Sequence, residues 1–95
     1  MTKKEVRALI ASAKTPQDHR RLAAYYHDEA VNLAAKQREH EEDLEEYNKN
    51  SSRYSSKYPT MGDHCRELAG FYNLAAKKAQ TLADMHDELA KQAEK

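Results

Sequence analysis

The strongest constraint in this sequence is a pair of matched heptads on either side of a polar break. In residues 16–48, His19, Tyr26, Leu33, His40 and Tyr47 recur every seven positions, with Ala23, Ala30, Gln37 and Leu44 each four positions on. In residues 60–93, Cys65, Tyr72, Ala79, His86 and Ala93 form one series, and Met61, Leu68, Ala75, Leu82 and Leu89 form its companion. Small and apolar residues repeated this way specify a long helix whose stripe must meet another helix. Between the two stretches, "NKNSSRYSSKYPT" is Ser-rich, has no apolar period and reads as a loop over about 49–59. The chain is therefore predicted to be all-α, with a long antiparallel helical hairpin of helices 16–48 and 60–93.

Upstream, "KEVRALIASA" sets Val6, Leu9, Ile10 and Ala13 at helical spacing, which predicts a short first helix over about 3–13. In "KTPQD", Thr15 is the expected cap, Pro16 suits the first helical position, and Asp18 lies near the positive helix end. Thr60 or Asp63 is the expected cap of the last helix. Residues 1–95 make a single helical domain, near the small end of what one core can hold together.

Folding the chain back about residues 52 and 53 places His19 opposite His86, Tyr26 opposite Ala79, Leu33 opposite Tyr72 and His40 opposite Cys65. The same register brings Arg21 near Asp84, Asp28 near Lys77, Arg38 near Glu67 and Glu39 near Arg66, but also Glu42 near Asp63. Ala69, Ala76, Ala83 and Ala90 then form a small-residue stripe beside the hairpin seam, open to the approach of a further helix. The first helix can cover part of that face. A second copy of the chain would complete a four-helix bundle, and a homodimer is the expected state. On this reading, Glu at Ala76 or Ala83 weakens association. The alternative is a monomeric three-helix arrangement in which the alanines are simply good helix formers.

Composition narrows the function. Charged residues are 34% of the chain but balance to a formal net charge of zero, and no basic patch is evident, so no nucleic-acid partner is expected. No apolar run has the length of a membrane span. The start "MTKKEVRALIASAK" lacks the apolar core of a signal peptide. Either the protein is cytoplasmic, or a signal was removed and a start Met supplied for expression.

The stretch "MGDHCRELAGFY" sets His64 beside Cys65, the single cysteine. In the expected register His40 faces Cys65, with Met61 one turn earlier. Imidazole, thiolate and thioether together suit copper as Cu(I), or zinc if the thioether is left out. His19 opposite His86 is a second candidate pair, with Met85 adjacent. The competing reading makes all of these residues core. A buried cysteine is commonly a small hydrophobe, His64 lies one position off the seam, and no HxxxH, CxxC or ExxH spacing occurs. A b-type haem held by His19 or His86 is a further alternative, without the CxxCH of covalent attachment.

Other chemistry has less to stand on. Glu39, Glu41, Glu42, Asp43, Glu45 and Glu46 read as a solvated helix end, or as partners of Arg53 and Lys57. A di-iron site needs inward glutamates, which the seam lacks. Tyr25, Tyr54 and Tyr58 read as partner contacts. Cys65 with His40 as base would lack a third orienting group and an oxyanion loop, so no catalytic activity is expected.

The elements "TPQDHRRLAAYYHDEA" and "MGDHCRELAGFYNLAAKKAQTLADMHDELA" resemble small exported bacterial helical proteins of uncharacterised function. The likeness rests on the T-P-x-D-H start, the paired tyrosines and the H-C-x-x-L-A element with a later His, over residues 14 to 90. It implies an exported, periplasmic location and transfers no catalytic residue. The expectation is a non-catalytic, self-associating helical-hairpin module that binds copper or zinc through its His and Cys layers. Its competitor is a purely structural or protein–protein interaction bundle with no ligand.

Overall fold

The computed structural model describes residues 1–50 and 61–94. They form three helices, α1 (Lys3–Ser12), α2 (Pro16–Lys49) and α3 (Met61–Glu94), with no strand among the described residues. Helices α1 and α2 lie within one residue of the expected spans 3–13 and 16–48. The loop over about 49–59, apart from its first two residues, and the capping role of Thr60 lie outside the described residues. So do Arg53, Tyr54, Lys57 and Tyr58.

Local hydrogen bonding explains where the helices start. The Glu5 amide donates to Thr2 Oγ1 at 3.1 Å, and the Thr2 hydroxyl donates to Glu5 Oε1 at 3.2 Å. Each residue thus satisfies the other at the α1 N-terminus, where amides have no helical partner. At α2 the Asp18 amide donates to Thr15 Oγ1 at 3.1 Å, while Asp18 Oδ2 accepts from the Lys14 and Thr15 amides at 3.1 and 3.3 Å. Pro16 opens α2, where a missing amide costs nothing. The Lys14 amide, then that of Thr15, holds the Asp18 carboxyl below its ordinary range. At α3, Asp63 is engaged by Arg66 Nη1 at 2.8 Å.

The chain divides into two compact units. The first joins Met1–Ala30 to Lys77–Lys95. Its buried residues are Val6 on α1, Leu22, Ala23 and Ala30 on α2, and Ala79, Ala83 and Ala90 on α3. Here α2 and α3 run antiparallel, as the contacts of His19 with His86 and of His27 with Gln80 show. Arg20 on α2 also forms an ion pair with Glu94 on α3. The second unit is Val31–Ala76. It buries Cys65 and Ala69 and half-buries Leu33, His40, Leu44, Tyr47 and Tyr72. The helices run close there: a Cβ added at Gly62 would lie 3.2 Å from Leu44 Cδ1.

The expected register is half right. His19 does meet His86, but His86 also stacks on Tyr26, one heptad along α2. A side chain seated between two residues of the facing helix is the knob-into-hole arrangement, offset from one-to-one layers. In the second unit the same offset puts Tyr72 against His40, with ring centroids 5.4 Å apart, where Leu33 was expected opposite Tyr72.

A larger correction concerns which face of α3 is inside. Ala69, Ala83 and Ala90 are 7, 2 and 3% exposed, whereas Leu68, Leu82 and Leu89 are 40, 41 and 42% exposed. The alanine stripe is thus part of the hairpin seam, and the leucine series faces outward. The bulk supplied by α2 accounts for this. Its series of His19, Tyr26, Leu33, His40 and Tyr47 already fills the gap between helices, so α3 must present small residues to reach native packing density.

Candidate functional site

Two features stand out once the helices are placed: a histidine pair in the first unit and an apolar face on α3. In the pair, His19 Nδ1 lies 3.2 Å from His86 Nδ1. Such an approach requires one nitrogen to donate and the other to accept. The Tyr26 ring lies nearly parallel to His86, 4° off and 5.9 Å between centroids, and so braces it. Burial, then the neighbouring His19, pushes the His86 imidazole below its ordinary range, against the opposing pull of Asp87. Both histidines are half-buried.

The other proposed ligands make contacts of their own. His40 stacks on Tyr72 and points Nδ1 at Asp43 Oδ2, 3.9 Å away on its own helix. His64 is exposed and has Nδ1 3.6 Å from Glu67 Oε2, also on its own helix. Cys65 is a buried free thiol, pushed above its ordinary range first by burial and then by the Asp43 carboxylate. Met61 is half-buried. Among the described residues, no three or more His, Cys, Asp or Glu side chains gather as a metal group. Adjacent helical residues point about 100° apart, so with Cys65 inside, His64 is outside.

Each unit leaves large apolar side chains of α3 exposed: Leu68, Phe71 and Leu74 in the second, and Leu82, Met85 and Leu89 in the first. Phe71, Leu74 and Met85 are 67, 55 and 57% exposed. At 3.6 residues per turn, each set of three falls on one side of its own stretch of α3, within roughly 120° in the second unit and roughly 60° in the first. The leucine heptad is visible in the sequence, and its apolarity alone predicts that it faces inward. The signal that could have corrected it is the bulk of the α2 series, which leaves room for only one small-residue stripe on α3.

No helix among the described residues is long and apolar enough to cross a membrane. Comparison with protein families, with curated proteins and with solved structures finds no match to the chain.

Proposed function

We propose that this chain is a non-catalytic helical-hairpin module that self-associates, with a second copy covering the apolar face of α3. The observation that carries the reading is the exposure of three large apolar side chains of α3 in each unit, Leu68, Phe71 and Leu74 in one and Leu82, Met85 and Leu89 in the other. Contiguous exposed apolar surface of this kind marks an interaction site, because it stays in contact with water until a partner arrives. The formal net charge of zero leaves no overall repulsion between copies. Two hairpins would bring four long helices together, as in a four-helix bundle. An exported, periplasmic setting remains part of this reading, supported by the sequence resemblance alone.

Light scattering on the purified chain tests it. The expected mass is about twice 10.9 kDa. Leu82→Glu and Leu89→Glu should each return a monomer with unchanged helicity. A monomer at high micromolar concentration would overturn self-association and leave the α3 face to a different protein. Ala83→Glu does not serve as a probe of association, because Ala83 is buried in the hairpin itself.

A further inference from the structure

We infer that His19 and His86 act as one proton-responsive clasp between α2 and α3, closed with one extra proton or none and released by a second. The inference stands apart from self-association, since both residues lie in one compact unit of one chain.

The geometry sets the proton count. The 5.4 Å between ring centres exceeds the 3.2 Å between Nδ1 atoms by little more than the two ring radii, so the rings meet head-on. Such a contact is a hydrogen bond only if one Nδ1 carries a proton and the other offers its lone pair. In the uncharged pair the donor ring keeps a lone pair on Nε2, and a first proton adds there. The contact survives and becomes charge-assisted, about twice as strong as its neutral form. A second proton can enter only at the accepting Nδ1. Two N–H groups then point at each other and two imidazolium charges adjoin, so the contact breaks. His86 is the accepting ring, since burial and the neighbouring His19 already hold it below its ordinary range.

The surroundings do not cancel the second charge. From α2, Tyr26 faces His86 with an uncharged ring, Asp18 accepts the Lys14 and Thr15 amides, and Arg20 is paired with Glu94. From α3, Asp87 favours a charged His86 but is outweighed by burial and His19. Among the described residues, α1 sends no hydrogen bond or ion pair to either ring, and its Glu5 is held by Thr2. No residue three or four positions from either histidine is charged. What the contact secures is the seam of the first unit, where Ala83 and Ala90, one turn before and after His86, are buried. Acid therefore loosens this seam locally, ahead of any general unfolding.

The test follows protons and backbone together. Untagged, nitrogen-labelled chain is titrated from about pH 8 to about pH 5, which stays above the carboxylate range. NMR follows the ring nitrogens and the hydrogen exchange of the α3 amides. The expected result is two uptake steps for the pair, separated by more than the factor of about four that statistics alone gives two equal sites. The second step should fall below the ordinary histidine value of 6.5. Across it, exchange at Ala83 and Ala90, corrected for its intrinsic pH dependence, should speed by about tenfold or more, with Ala69 in the other unit unchanged. His19→Gln and His86→Gln should each leave a single uptake step at the remaining ring and no acid-linked change in exchange. Two overlapping steps in the parent chain, a second step without faster exchange, or acid-linked exchange that persists in both variants would each overturn the clasp. Because the parent titration is decisive by itself, a variant that failed to fold would not protect the proposal.

Discussion

Leu82 and Ala83 are neighbours on α3, and the structure assigns them opposite consequences when each is replaced by glutamate. Ala83 is 2% exposed, in the seam. A carboxylate there is buried without a partner, a change that costs about 3–5 kcal/mol. Leu82 is 41% exposed on the outer face. Glutamate at that position can reach water, so the loss is limited to the partly covered leucine surface, about 1 kcal/mol. Helix propensity does not separate the two, because Glu is a good helix former in both. For a domain of this size total stability is about 5–14 kcal/mol, so Ala83→Glu removes a large share of it. Urea unfolding followed by far-ultraviolet circular dichroism, at a concentration low enough to keep the chain monomeric, reads this directly. With a slope of about 1–1.5 kcal/mol per molar, the midpoint should fall by about 2–5 M in Ala83→Glu and by about 1 M or less in Leu82→Glu. Equal losses, or a larger loss in Leu82→Glu, would show that the leucine series is the true seam and would refute the packing argument.

Two further outcomes follow from single positions. His86 has its pKa lowered in the folded chain from an ordinary value of 6.5, so below about pH 6.5 the unfolded chain takes up a proton that the folded one resists. Stability is therefore full above that pH and declines as pH falls through it; His86→Gln should flatten this part of the urea midpoint against pH, and an unchanged slope would remove His86 as its source. Gly70 is exposed in mid-helix and an added Cβ would meet nothing within 4 Å, so Gly70→Ala should raise stability by about 0.5–1 kcal/mol in the same assay; a loss would mean that the added methyl is not accommodated.

The fold was legible because its signals are local and repeated. Thr15, Pro16 and Asp18 marked the α2 start by chemistry that acts within four residues, and the structure shows those bonds. The Thr2–Glu5 pair at α1 carries a signature of the same kind. The inner face of α3 was not legible from hydrophobicity alone, since leucine is the more apolar side chain yet alanine is what fits. Which stripe goes inside depends on the volume presented by the other helix, and that is a property of the pair. The site divided along the same line. His19 and His86 were matched from the heptads and do meet, whereas Tyr72, matched to Leu33, stacks on His40, one heptad further along α2.

The alanines of the seam also govern how this sequence can drift over evolutionary time. Ala69, Ala83 and Ala90 have almost no free surface, so an isolated change to a larger residue is selected against unless a position on α2 shrinks with it. The exposed leucines face no such veto from within the chain and answer only to whatever they touch outside it. Descendants of one ancestor should therefore share small residues at every seventh position of the second long helix, paired with bulky ones on the first, while their leucines scatter. Common ancestry would be written in the least conspicuous side chains of the molecule.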